Sequence, residues 1–223
     1  MDKKEFDQIY YEKTFSVARM QPYYDKYPGY PDRAEIHYQQ NIQLSESLLP
    51  SLSVFEVSLR NVLIRELERM TGSRDWYLTF QTIPELKNLH VHVQTASMRI
   101  KARGETVTCD KINGELTLGF WVSLFNSEYE RILWKALRNS FSYLPKANKK
   151  RKTVSAPLNA IRLLRNRVFH HEAIAWNLSK VEELHEHIIR ILEWIDPFLP
   201  HWMKKIDRFD HVIRRIQAER MIW

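Results

Sequence analysis

Eight consecutive residues, Arg165-Asn166-Arg167-Val168-Phe169-His170-His171-Glu172, put two guanidinium groups, an amide, two imidazoles and a carboxylate into one short stretch. Imidazole is the side chain that titrates nearest neutrality, so it can take up and return a proton, and guanidinium meets phosphate oxygens with a planar fork of donors. Proton transfer next to a stabilised phosphate oxyanion is what cleavage of a phosphodiester requires. The chain is also basic, with 34 Lys plus Arg against 27 Asp plus Glu and a formal net charge of +7. That excess favours an anionic partner, either nucleic acid or an acidic membrane.

These groups must be held in place by a helix. At about 100° per residue, Leu158, Ile161, Leu164 and Val168 share one apolar arc, and Arg165 falls inside it. A guanidinium there needs a carboxylate, a phosphate or another protein partner, because an uncompensated buried charge is very costly. Asn166 and His170 are i,i+4 neighbours with Arg162 on the same side, so the amide can orient the imidazole. On a straight helix Arg165 and His170 stand about 140° apart. This predicts either a break near Phe169 or a second copy of the motif that completes a shared site across a two-fold axis. Residue chemistry alone favours a structural role, with Arg165 paired to a carboxylate and two ordinary polar histidines at a helix end. Glu56 and Arg60, also i,i+4, can form a helix-stabilising ion pair, or Glu56 can neutralise a motif arginine from behind. Glu56, Arg60 and Asn61 are expected to give structural support.

The surrounding sequence reads as all-α. Apolar residues make up 44% of the chain and aromatics 12%, with only five glycines, which favours long regular elements around a real core. The spacing predicts a helix over Phe6 to Tyr24 broken near Pro22. A second helix is opened by the Asp32/Glu35 pair and interrupted at Pro50, and a third runs from Leu52 to Met70 and is closed by Gly72. Between Ile83 and Arg103 a further helix is expected, closed by Gly104, although Val91-His92-Val93 also suits a short strand. Glu115 to Phe125 is apolar nearly all round and should be buried. Ser127 with Glu130 and Ser179 with Glu182 read as capping boxes, Pro157 sets the start of the motif helix near Ser155 or Ala156, and Asp196-Pro197 stops the helix through Leu192. A basic amphipathic segment runs from Ile206 to Arg220.

Tyr143 to Thr153 is polar and cationic and reads as an exposed connection, in which Lys149, Lys150, Arg151 and Lys152 are candidate phosphate contacts together with Arg162 and Arg167. Cys109 is the single cysteine, so there is neither an intrachain disulfide nor a sulfur-ligated zinc site. The pairs His90/His92 and His185/His187 lack a third ligand in sequence, and no metal site is expected. The charged N-terminal residues carry no apolar signal core and no run approaches about twenty apolar residues, so a cytoplasmic protein that does not span a membrane is expected.

Read as a string, Leu163 to Ile174 (LLRNRVFHHEAI) resembles the R-N-x-x-x-H signature of the HEPN ribonuclease superfamily, and the doubled His followed by Glu resembles its Abi-like, abortive-infection branch. FEVSLRNVL with Glu56, Arg60 and Asn61, DWYL at Asp75 to Leu78, LTLGFWVSLF at Leu116 to Phe125, YERILW at Tyr129 to Trp134 and EWIDP at Glu193 to Pro197 resemble segments of that branch in the same order, from about Leu44 to Met203. The resemblance implies a HEPN-like helical bundle over residues 1–223 as a single domain, with 1–43 an N-terminal extension and 204–223 a basic C-terminal helix. It also implies a homodimer that cleaves RNA without metal or other cofactor as a toxin or antiphage effector, or a catalytically silent RNA-binding or adaptor module. An antitoxin, protein or small RNA, is a possible further partner. Arg165 and His170 match the motif Arg and His, Asn166 the polar residue after the Arg, and His171 the second His of the branch. Phe169 departs from the small Ala frequent there, and no Tyr stands two residues after His170.

Overall fold

A computed structural model describes residues 3–222, with side chains from Gln8 onward. Among the described residues the regular structure is helical throughout, with no strand. Twelve α-helices follow in order: α1 Lys3–Phe15, α2 Val17–Lys26, α3 Pro31–Thr71, α4 Trp76–Thr82, α5 Lys87–Ala102, α6 Cys109–Glu115, α7 Leu118–Ser123, α8 Glu130–Leu137, α9 Arg151–Phe169, α10 Leu178–Ile195, α11 Phe198–Met203 and α12 Phe209–Met221. The chain divides into two compact units, one of residues 1–49, 167–182 and 207–223, the other of 50–166 and 183–206.

In the larger unit, the stripe Leu52, Phe55, Leu59, Leu63 and Leu67 of α3 is buried, as its spacing predicts, and Gly72 at φ +69° ends the helix. The apolar run at α7 is core: Leu118, Phe120, Trp121 and Val122 are all buried. Trp76 packs against Trp121 at 5.8 Å between ring centroids. Each indole N–H finds an acceptor, Asn113 Oδ1 for Trp76 and the Leu116 carbonyl for Trp121, both at 3.2 Å, so neither buried ring carries an unsatisfied donor. Val91-His92-Val93 lies inside α5 and is helical. In the smaller unit Met20, Tyr23, Tyr24, Ala34 and Tyr38 form a core, with Tyr11, Phe15, Tyr27 and Trp176 packed against it, so these five tyrosines serve packing.

Three prolines depart from expectation, because all sit inside helices. The first break falls at Ser16, φ +77°, whose carbonyl accepts the N–H groups of Arg19 and Met20, and Pro22 lies within α2. Pro50 does not interrupt α3, a 41-residue helix that Pro31 opens with Asp32 inside its first turn. Pro157 lies well within α9, which starts four residues earlier than predicted, at Arg151. Each proline removes the hydrogen bond to the carbonyl four residues back. Those carbonyls belong to Ala18, Glu46 and Thr153, which are exposed or half-buried, so water can take the missing bond.

Both predicted capping boxes are also replaced. Glu130 pairs with Arg151, and Ser127 makes no capping bond for α8. Asn177 caps α10, accepting from Lys180 N at 3.0 Å, while Glu182 receives Gln217. The long α3 holds an 18-residue window of mean hydropathy 1.3, long and apolar enough to cross a membrane, with 44% of that window buried inside the protein. His185 of the His185/His187 pair is buried.

Candidate functional site

The motif helix α9 ends at Phe169, where the sequence allowed a break. His171 N donates to the Val168 carbonyl at 3.2 Å and Glu172 N to the Arg167 carbonyl at 2.8 Å, with His171 in the left-handed region at φ +55°. This pair of bonds around a left-handed residue is the Schellman closure, which usually places glycine where His171 stands. A side chain with a Cβ is strained there by about 1 kcal/mol. The closure leaves both imidazoles exposed.

The segment after the closure has no regular structure, and side chains of the smaller unit hold its backbone. Asn41, buried on α3, accepts from Ile174 N at 2.7 Å and Ala175 N at 3.0 Å through Oδ1, and its Nδ2 donates to the Glu172 carbonyl at 3.4 Å. The Ala175 carbonyl accepts from His37 Nε2 at 3.1 Å and Arg220 Nη1 at 2.8 Å, while Arg19 donates to the His171 carbonyl at 2.5 Å. Because a carbonyl only accepts, His37 carries its proton on Nε2 and Nδ1 is left to accept from the Tyr27 hydroxyl, 3.2 Å away. Burial, followed by the charge of Arg220, pushes the His37 pKa down to about 4. Arg167, a predicted RNA contact, turns back on its own loop, donating to the Ala173 carbonyl and pairing with Glu172 at 3.4 Å. Beside the closure opens a cavity of about 360 Å³ whose lining includes Arg19, Tyr23, His171, Glu172 and Trp176. A guanidinium, an imidazole and aromatic rings meet there.

In the larger unit Arg165 is held from behind. Its Nε donates to Glu56 Oε2 at 3.4 Å, with both side chains a little over one-quarter exposed. Glu56 thus takes the second of the two roles its sequence position allowed, and the buried-arc guanidinium has its carboxylate. Arg162 and Asn166 are half-buried on the same helix. Arg60 and Asn61 line a cavity of about 380 Å³ with Arg65 and Glu68.

The cationic connection does not act as one surface. Lys150 and Lys152 are exposed, and Lys149 donates to the Ser142 carbonyl at 3.5 Å. Arg151 is buried and held at Nε and Nη1, donating to Glu130 Oε2 at 2.8 Å, the Phe125 carbonyl at 2.9 Å and Ser155 Oγ at 3.2 Å. It is a structural staple and leaves the phosphate-binding set. Among the described residues no group of three or more His, Cys, Asp or Glu side chains is arranged to hold a metal ion.

Asn41, His37, Arg19 and Arg220 escaped the reading of the sequence because each contacts the loop from far along the chain. One signal was present: His37 and Asn41 stand four residues apart on a helix face that also carries Ala34, Tyr38 and Leu44, and buried polar groups on such a face need partners. Comparison with protein-family models, with curated proteins and with solved structures finds no match to this chain.

Proposed function

We propose that the chain is a metal-independent RNA endonuclease, a HEPN-like protein of toxin or antiphage type that works in the cytoplasm without cofactor. The observation that carries this reading is His171, held exposed in a left-handed conformation where glycine would be unstrained, immediately after His170 and beside a cation- and aromatic-lined cavity. Strain retained at an exposed polar side chain is characteristic of sites selected for chemistry. RNA supplies its own nucleophile, so no metal is required. The 2′ oxygen bonds to phosphorus as the bond from phosphorus to the 5′ oxygen breaks, leaving a 2′,3′-cyclic phosphate and a 5′-OH end. His170 transfers a proton at the 2′-OH or at the leaving oxygen, and Arg165 stabilises the charge gathering on the phosphoryl oxygens. Asn166 and His171 complete the candidate catalytic set, and Lys149, Lys150, Lys152 and Arg162 supply cations for the backbone. A homodimer about a two-fold axis brings two copies of the motif together, and an antitoxin, protein or small RNA, restrains the activity.

A second reading, a silent RNA-binding or adaptor module, is favoured by the commitment of Arg165 to Glu56. Incubating the purified protein with RNA in chelator decides between them. Wild type cleaves and leaves cyclic phosphate ends, and His170→Ala, a change at an exposed position, does not cleave but keeps its melting temperature. Intact RNA with wild type, or equal cleavage by both proteins, rejects the nuclease.

A further inference from the structure

The larger unit holds a groove of about 780 Å³ that plays no part in the motif chemistry. One wall is α3. Asn61, Arg65 and Arg69 recur every four residues and so form one ridge of exposed polar side chains. The opposite wall carries Lys135 of α8 and Asn139 just beyond it, again four apart and exposed. The lining also carries an apolar patch of Val62, Ile132 and Leu199, beside the carboxylates of Glu66 and Asp196.

The walls are fixed to one another. Glu66, itself buried, receives Arg69 and, at 3.5 Å, Asn139 Nδ2, so one carboxylate ties the two sides together. Ser140 Oγ donates to the Val62 carbonyl at 3.5 Å, and Tyr143 N donates to the Trp194 carbonyl at 3.0 Å, which anchors the segment after α8 at both ends. Arg69 offsets the charge of Glu66. Arg65 and Lys135 remain as exposed cations on facing walls, with amides beside each.

We propose that this groove binds an organic phosphate whose phosphoryl group lies between Arg65 and Lys135 and whose apolar or planar body rests on Val62, Ile132 and Leu199. A site with an apolar patch, a few convergent polar groups and a volume in the range of about 300–1,000 Å³ fits a ligand of nucleotide size. Guanidinium and ammonium from opposite sides bind a phosphoryl group by charge-assisted hydrogen bonds. The amides of Asn61 and Asn139 present both donors and acceptors to the body of the ligand. Such a group reaches the groove either as a free nucleoside phosphate or as the phosphorylated end of an RNA strand.

Titration calorimetry on the full chain with AMP, adenosine and inorganic phosphate tests the site. AMP should bind saturably and adenosine at least about tenfold more weakly, and the double variant Arg65→Ser/Lys135→Ser should lose about tenfold or more in AMP affinity with its melting temperature unchanged. His170→Ala and Arg165→Ala, which test the nuclease reading, should bind AMP as wild type does, so the two proposals fail separately. A 5′-phosphorylated RNA tetranucleotide that displaces AMP identifies an RNA end as the natural source, and one that does not identifies the free nucleotide. The proposal is overturned by absence of saturable AMP binding, by equal affinity for adenosine, by an unaffected double variant, or by loss of AMP binding in Arg165→Ala.

Discussion

His171 carries two obligations that pull in opposite directions. Its backbone closes α9 in a conformation suited to glycine, and its side chain stands in the candidate site. His171→Gly is therefore expected to raise stability by about 0.5–1 kcal/mol, read from the urea midpoint, while RNA cleavage falls. Higher stability with undiminished cleavage would remove His171 from the chemistry. Arg165 and Glu56 make the second residue-scale case. With both groups partly exposed and 3.4 Å apart, Glu56→Gln should cost about 1 kcal/mol. In a double-mutant cycle with Arg165→Ala most of that cost should vanish, since the partner is already gone. Additive losses would show that the pair contributes nothing. This pairing was legible before the structure, because a guanidinium on an apolar arc demands a carboxylate and Glu56 sits on another apolar-periodic helix. The bonds to the 170–177 segment were not, since a loop without periodicity gives no indication of which distant side chains will satisfy its backbone.

At the scale of elements, apolar spacing located the longer helices but not the short α4, α6, α7 and α11, and prolines misplaced several ends. The stripe of α3 runs on through Pro50, and in α9 Val154 and Leu158 straddle Pro157 on one buried face, so burial of the face outweighs one missing hydrogen bond at a wet carbonyl. Capping boxes failed for a related reason. A carboxylate near a helix start can be drawn to a long-range partner, as Glu130 is to Arg151, and the local pattern does not reveal it. The basic cluster before α9 separates accordingly. Arg151→Ser should destabilise the protein by about 2 kcal/mol, less than the roughly 3–5 of a fully buried pair because Glu130 is 45% exposed. Replacing Lys149, Lys150 and Lys152 by Ser should leave the melting temperature in place, weaken binding to all RNA sequences alike and flatten the slope of log affinity against log salt. An unchanged salt slope would show that these lysines only solvate the surface.

Across the whole molecule, the all-α class followed from composition and period, whereas the division into two units from five chain segments did not, because only tertiary contacts define it. The smaller unit has a titratable centre in His37. Its folded-state pKa of about 4 lies below the ordinary value near 6.5. The unfolded chain therefore binds the proton first as pH falls, and stability declines between about pH 6.5 and pH 4 by up to about 3 kcal/mol. Urea titrations at pH 7 and pH 4.5 should show His37→Gln losing less than wild type over that interval, and equal losses would exclude His37 as the source. The same unit has a consequence in time. The Ala175 carbonyl is gripped by His37 and Arg220, side chains separated by most of the chain. During synthesis the loop after the motif lacks its Arg220 bond until α12 has left the ribosome, long after His170 and His171 have emerged. On the proposed function, a ribonuclease assembled in this order has its loop fully tied down only once residue 220 is clear of the exit tunnel, so the growing chain is not yet the finished nuclease.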